Sequence, residues 1–214
     1  VASLVGSEMC IRDRTRPNHS VVNAVTQDWD KFDNYASYDE FTLSYLRECK
    51  RVLKPDGGLW IIGSYHNIFR IGKILQDLNF WILNDVIWAK SNPLPNFRAT
   101  RLTNAHETLI WCSKKPKSKY QFNYHTLKVA NEDKQERSIW NFPICSGKER
   151  IKNKTNQTAH PTQKPLALMK KIILQSSIQG DLILEPFAGT ASFCAEGKYL
   201  GCLLYTSDAA DERN

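Results

Sequence analysis

Two short runs of residues combine types and spacing that suit the binding of a small molecule. The first spans residues 160–165 and reads HPTQKP, directly before a predicted helix. The second spans residues 185–190 and reads EPFAGT; it follows a short apolar stretch and leads into another helix. A strand, a glycine turn and a helix in this order let backbone N–H groups and the positive end of the helix approach a ligand. We therefore expect a ligand-binding turn at residues 185–190.

The charge at this turn indicates the kind of ligand. Glu185 stands at the tip of the strand, where a carboxylate suits a ligand that carries positive charge. The two runs together favour S-adenosylmethionine, whereas each run alone is compatible with an ordinary turn before a helix. A dinucleotide fits poorly, because no G-x-G-x-x-G follows a strand and no acidic residue stands about 20 residues beyond such a turn.

Basic residues are concentrated in one part of the chain. Residues 90–171 contain 17 Lys and Arg against five Asp and Glu, so this part is more positive than the whole chain with its net charge of +7. Such a block predicts a surface that faces a polyanion; a solvated, lysine-rich loop region is the alternative.

The pattern of apolar residues predicts the elements that must position both runs. We predict helices that begin near residues 37, 68, 165 and 191, and strands at 59–62, 80–88, 108–112 and 182–185. The first helix begins with a capping box, Ser37-Tyr38-Asp39-Glu40. The polar stretches 114–119 and 148–158 read as surface loops. Alternation of helices and strands predicts an α/β fold with a parallel-type sheet and helices on both faces.

Residues 16–201 resemble the β-class amino-methyltransferases of DNA, and most of all the cell-cycle-regulated adenine methyltransferases. The segments that carry the resemblance are Val52–Pro55, Trp60–Arg70, Phe80–Trp88, Asn92–Phe97, Asn104–Trp111, His160–Pro165 and Glu185–Thr190. The resemblance implies a circularly permuted class I methyltransferase (Rossmann-like) sheet, incomplete in this chain. It also implies methyl transfer from S-adenosylmethionine to the N6 amine of adenine in double-stranded DNA, at a site of the form GANTC.

The resemblance further implies which residues bind the cofactor. They are Lys164, Pro165, Glu185, Pro186, Phe187, Gly189 and Thr190. The family usually has Asp where this chain has Glu185 and Gly where it has Ala191. Glutamate keeps the charge, whereas alanine tolerates a positive φ less well than glycine. Both departures are compatible with cofactor binding.

A segment rich in amides and arginines is the candidate DNA-facing region. Arginine pairs with guanine and asparagine with adenine in the major groove, and lysine and arginine also hold phosphates. The resemblance places this segment near the DNA, while each residue taken singly is equally compatible with a local structural role. The candidates are Asn92, Asn96, Arg98, Arg101, Asn104 and His106.

No catalytic residue is assigned. The exocyclic amine of adenine is a poor nucleophile, and the target base must leave the stack before it reacts. In the family, an Asp-Pro-Pro-Tyr motif accepts the hydrogens of the amine and stacks on the base, but no such motif occurs in these 214 residues. We therefore expect this chain to be inactive alone.

The two ends do not continue the pattern of elements. Residues 1–14 and 202–214 resemble translated sequencing-adaptor read-through, so we expect non-native tails around a partial methyltransferase domain at 15–201. The strand that holds the cofactor ribose in the family would then be absent after Gly201.

The sequence is also compatible with two other functions. A cytosine-N4 methyltransferase shares the fold and motif order, and a non-catalytic DNA-binding relative is a third reading.

Six widely spaced cysteines and the absence of a long apolar stretch predict a protein of the cytoplasm without a membrane partner or a metal site. Double-stranded DNA is the expected partner, and a homodimer stays open.

Overall fold

The computed structural model describes residues 2–5, 32, 34–160 and 162–206. The helices of this part are α1 (Tyr35–Val52), α2 (Ile68–Asp77), α3 (Tyr124–Ala130), α4 (Leu166–Ser176) and α5 (Ser192–Tyr199). Its strands are β1 (Ala2–Val5), β2 (Gly58–Gly63), β3 (Trp81–Lys90), β4 (His106–Ser113), β5 (Ile139–Phe142), β6 (Leu182–Glu185) and β7 (Leu203–Thr206). A short 3-10 helix spans Gly147–Glu149. Within these ranges, no helix is long and apolar enough to cross a bilayer.

All the described strands join one mixed sheet in the order β5-β3-β4-β2-β1-β6-β7. The expected parallel-type sheet is correct except at β4, which runs antiparallel to both β2 and β3. The connection from β3 to β4, residues 91–105, contains no helix. Neighbouring strands joined without a crossover helix pair antiparallel, which explains the exception.

Side chains of β2 alternate between the two faces of the sheet and thereby build two cores. Leu59 and Ile61 pack with α1 and α2 in one buried cluster. Trp60 and Ile62 pack with α4 and α5 in the other. All four side chains are at most 1% exposed. A strand buried on both faces needs apolar residues at every position, so the α/β class with helices on both faces is confirmed.

The helix ends differ slightly from the predicted ones. α1 begins at Tyr35, and its cap is Asn34, whose side chain accepts a hydrogen bond from the Ser37 backbone N–H at 3.0 Å. Ser37 is therefore the third helical residue, and the predicted capping box is displaced by one turn. α4 begins one residue after Pro165, which caps it with extended backbone angles.

Both ends of the described chain contain strands that the sequence pattern misses. β1 lies between β2 and β6 and is parallel to both. β7 pairs in parallel with β6, from Leu182 opposite Leu203 to Glu185 opposite Thr206. The expectation that no strand follows Gly201 is therefore wrong. Both strands are fixed by backbone hydrogen bonds to segments elsewhere in the chain, which a local pattern does not reveal.

The predicted surface loops at 114–119 and 148–158 are confirmed as segments without an α-helix or a β-strand, although the short 3-10 helix extends into the second. Between them lie α3 and β5, which the sequence analysis does not predict.

One edge of the sheet matters most for the site. β1, β2, β3 and β6 all end at this edge, and the antiparallel β4 starts there.

Candidate functional site

Glu185, the last residue of β6, is a buried carboxyl group at this edge. It is 1% exposed, and the thiol of Cys194 on α5 donates a hydrogen bond to its Oε2 at 2.9 Å. Burial raises the pKa of Glu185 from 4.5 to about 7, although the hydrogen bond from Cys194 lowers it. A carboxyl group with so weak a partner is suited to receive a cation.

The turn after Glu185 contacts the other predicted run. Gly189 has φ +52°, and a Cβ atom at this position would lie 3.3 Å from Nε2 of His160. Glycine is therefore favoured at this position, because its backbone angle strains other residues and because a Cβ atom would be in tight contact with the imidazole ring. Beyond the turn, the hydroxyls of Thr190 and Ser192 lie 2.9 Å apart at the start of α5. The two runs that the sequence analysis pairs thus lie together in the structure.

The aromatic ring of this turn is held from the side of α1. Phe187 packs edge-on against Tyr45, with ring centroids 5.1 Å apart, and Pro186 precedes it, half-buried. Phe187 therefore supports the turn through the first core cluster.

Ala191 adopts a backbone conformation that glycine prefers. It caps α5 with φ 54° and ψ 28°, in the left-handed region. For an L-residue with a Cβ atom, this conformation costs roughly 1–2 kcal/mol. The structure therefore gives a physical reason for the glycine that the family usually has at this position.

We expect Ala191→Gly to stabilise the protein by about 0.5–1 kcal/mol, because relief of the left-handed strain exceeds the extra entropy of the unfolded glycine. Urea unfolding would measure the change. The matched control is Ala195→Gly on the exposed side of the same helix, where we expect a loss of about 1 kcal/mol. A loss at both positions would contradict the strain at Ala191.

Lys164 and Pro165 are both buried beside the turn. The Lys164 ammonium donates to Oε2 of Glu107 at 2.9 Å, and the Lys90 ammonium lies 2.7 Å from Oε1 of the same carboxylate. Sequence reasoning missed Glu107 and Lys90 as site residues. The available signal was a pair of oppositely charged residues at the two ends of the connection 91–105.

The neighbouring Gln163 ties the first run to the basic loop 148–158. Its Oε1 accepts from the Ile151 backbone N–H, and its Nε2 donates to the Glu149 carbonyl, both at 2.9 Å. The Glu149 carboxylate in turn accepts from the backbone N–H of Leu166 at 2.6 Å and so caps α4. The exposed lysines of this loop are Lys148, Lys152 and Lys154. A positively charged surface therefore begins directly beside the candidate pocket.

Two of the DNA-facing candidates make contacts within the protein that shape the connection 91–105. Asn96 donates to the Arg101 carbonyl at 2.7 Å and accepts from the Arg98 backbone N–H at 3.2 Å. Asn92 accepts from the backbone N–H of Ile144 at 2.7 Å. These amides therefore hold the segment in place.

The other candidates present side chains at the surface. The Arg101 guanidinium donates to the Tyr65 hydroxyl at 2.9 Å and lies 5.9 Å from the centre of its ring. Arg98, Asn104 and His106 are exposed. Tyr65 follows β2 by two residues, so the connection 91–105 covers the same edge of the sheet as the turn at Glu185.

Comparisons with known proteins identify the family of the chain. The chain matches the DNA methylase family N6_N4_Mtase over residues 10–207. It is 53% identical over 186 residues, 87% of its length, to the Type II methyltransferase M.HinfI of Haemophilus influenzae. It is 41% identical over 175 residues, 81% of its length, to the Type II methyltransferase M2.MboI of Moraxella bovis. The chain spans 52% of the first relative and 62% of the second.

Solved structures share the fold. An M1.HpyAVI–SAM complex superposes with a TM-score of 0.65 at 29% identity, over 83% of this chain and 78% of that one. The cytosine-N4-specific PvuII DNA methyltransferase superposes with a TM-score of 0.70 at 16% identity, over 96% of this chain and 74% of that one. The second similarity concerns the fold alone.

Proposed function

Because this chain belongs to the DNA methylase family, we propose that it is part of an enzyme that methylates the N6 amine of adenine in double-stranded DNA. The methyl donor is S-adenosylmethionine. The observation that carries the proposal is the contact between the Gly189 turn and His160 beside the buried Glu185. The 53% identity to a Type II methyltransferase supports it.

The residues at the turn fit this cofactor in charge and in shape. The cofactor carries an ammonium group, and Glu185 is a buried carboxyl that accepts a hydrogen bond from a thiol. The backbone at Gly189 approaches without a side chain, and α5 presents its N-terminus behind it. When bound, S-adenosylmethionine supplies a methyl group activated by a sulfonium ion. We propose that it is held by Lys164, Pro165, Glu185, Pro186, Phe187, Gly189 and Thr190.

Each part of the site has a distinct role in this proposal. Glu185 becomes negative opposite the ammonium group, because a nearby cation favours the carboxylate. Phe187 and Pro186 keep water from one side of the pocket. His160 packs against the turn at Gly189.

We propose that DNA lies across the connection 91–105 and the basic loop 148–158. Both follow the edge of the sheet at which the cofactor turn lies, so a base that has left the stack would be presented towards the pocket. Arg98, Arg101, Asn104 and His106 supply base and phosphate contacts, while Asn92 and Asn96 shape the segment. The subfamily resemblance favours a site of the form GANTC.

Catalysis needs residues that this chain does not show. In the family that this chain resembles, Asp-Pro-Pro-Tyr follows a strand that would lie just upstream of Arg16. In this chain, the residues that follow β1 read Gly6-Ser7-Glu8. We propose that the chain binds cofactor and DNA but does not methylate DNA alone.

Binding assays on this chain test the proposal. We expect calorimetry to detect S-adenosylmethionine binding, and Glu185→Gln to weaken it by about tenfold, as expected for loss of one charge-assisted contact. A fluorescent GANTC duplex should bind with a log–log salt slope of about −0.9 per phosphate neutralised. A flat salt response would remove the basic surface from the proposal, and absence of cofactor binding would overturn it.

Product analysis distinguishes the alternatives. Tritiated S-adenosylmethionine and a GANTC duplex should give no labelled DNA with this chain alone. The same assay on a reading frame that includes Asp-Pro-Pro-Tyr should give N6-methyladenine on nucleoside analysis. N4-methylcytosine would establish the cytosine-N4 alternative, and no product from either protein would favour a non-catalytic DNA-binding relative.

A further inference from the structure

A buried cluster of three charged side chains lies between the cofactor turn and the DNA-facing connection. One oxygen of the Glu107 carboxylate pairs with Lys90 at 2.7 Å, and the other pairs with Lys164 at 2.9 Å. The side chains of Glu107, Lys90 and Lys164 are only 8%, 13% and 6% exposed, respectively. The ring of Trp88, itself buried, lies 5.3 Å from the Lys90 ammonium and 5.9 Å from that of Lys164.

The surroundings of Glu107 favour the ionised form of its carboxyl group. Burial alone would raise the pKa of Glu107, but the two ammonium groups and their hydrogen bonds outweigh it and lower that pKa. One carboxylate therefore lies between the Nζ atoms of two lysines. The single carboxylate of the three holds both cations in place.

The three residues belong to different functional segments. Lys90 is the last residue of β3 and Glu107 is the second of β4, so they stand at the two ends of the connection 91–105. The Lys90 backbone N–H also donates to the Ala105 carbonyl at 2.8 Å, which closes the base of this connection. Lys164 lies in the run 160–165, on the cofactor side. Glu107 is thus the point at which the two segments are joined.

We infer that Glu107 is a positioning residue that sets the DNA-facing connection and the cofactor-side run in their places together. This inference rests on the proposed function, because that function gives the two segments their ligands. Neutralising Glu107 leaves two buried ammonium groups that repel each other and have lost their charged acceptor. Both segments should then move away from the cluster.

The decisive variant is Glu107→Gln, which keeps the shape of the side chain and removes its charge. We expect it to weaken both S-adenosylmethionine binding, measured by calorimetry, and binding of a fluorescent GANTC duplex, each by about tenfold. Circular dichroism and thermal unfolding would show that the variant is folded at the temperature of the assays.

Two further variants separate positioning from a general loss of structure. Lys90→Met leaves the Glu107–Lys164 pair intact, so DNA affinity should fall while cofactor affinity stays within about twofold of the wild type. When Glu107→Gln is combined with Lys90→Met, the repulsion is gone and the new side-chain amide still offers Lys164 a hydrogen-bond acceptor. Cofactor affinity should therefore recover towards the wild-type value, while DNA affinity stays low. A merely structural defect would grow worse in the double variant.

Either of two results would overturn the inference: unchanged binding of both ligands by Glu107→Gln, or a double variant that binds cofactor no better than Glu107→Gln. The wild-type chain serves as the separate test of function. If it binds neither ligand, the proposed function fails and the inference fails with it, whereas a wild type that binds both leaves Glu107 to be judged by the variants.

Discussion

We expect the free energy of unfolding of the wild type to fall as the pH rises from about 4.5 to about 7, and we expect Glu185→Gln to lack this fall. The carboxyl group is 1% exposed, and burial raises its pKa from 4.5 to about 7. Between these values the unfolded chain has released the proton and the folded chain still holds it. Folding therefore takes up a proton, and the free energy of unfolding decreases with rising pH.

The size of this effect follows from the shift. Each pKa unit corresponds to about 1.36 kcal/mol, so the folded state loses about 3 kcal/mol across the window. The glutamine variant has no proton to lose at this position. Its stability relative to the wild type should thus improve by about 3 kcal/mol between about pH 4.5 and about pH 8.

Urea unfolding at several pH values in this range would measure the difference. Glu132→Gln is the matched control, because the Glu132 side chain is 84% exposed and its substitution should leave the pH profile of the wild type unchanged. Parallel profiles for the wild type and Glu185→Gln would show that the buried carboxyl does not titrate in this window.

The second large effect concerns the sheet on which the site is built. Trp60 in β2 is fully buried and stacks on Trp111 with ring centroids 5.3 Å apart. Its indole N–H donates to the hydroxyl of Ser176 on α4 at 3.0 Å. We expect Trp60→Ala to lower the free energy of unfolding by about 4 kcal/mol, because it opens a large cavity and leaves the second core cluster without its central ring.

Chemical denaturation of Trp60→Ala and Trp81→Ala would check this expectation. The control removes the same side chain from β3, where Trp81 is 52% exposed, and should cost about 1 kcal/mol or less. Equal losses at the two positions would mean that the stacked pair does not anchor the sheet.

Much of the fold follows from local patterns in the sequence. The apolar pattern predicts the strand 182–185 with the bounds it has, and β2, β3, α2 and α4 lie within two residues of their predicted positions. These elements carry long or uninterrupted apolar patterns, or have prolines and glycines at their ends. The sequence also allows the runs 160–165 and 185–190 to be assigned to one ligand-binding site, because each run carries a distinctive motif.

Contacts between residues that lie far apart in the sequence become visible only in the tertiary structure. The resemblance predicts Lys164 in the pocket, but its ion pair with Glu107 joins residues 57 positions apart. Arg101 and Asn96 are candidates for DNA contacts, and only the path of the connection 91–105 shows that they also contact Tyr65 and their own backbone. Such contacts have no local signature.

The sequence by itself determined the α/β class and the principal strands and helices, because each depends on the residue types within a short stretch. Only the tertiary structure decided that β4 is antiparallel, that β1 and β7 join the sheet, and that burial raises the pKa of Glu185. Strand pairing depends on backbone hydrogen bonds to distant segments, and a pKa depends on every group that excludes water from the carboxyl.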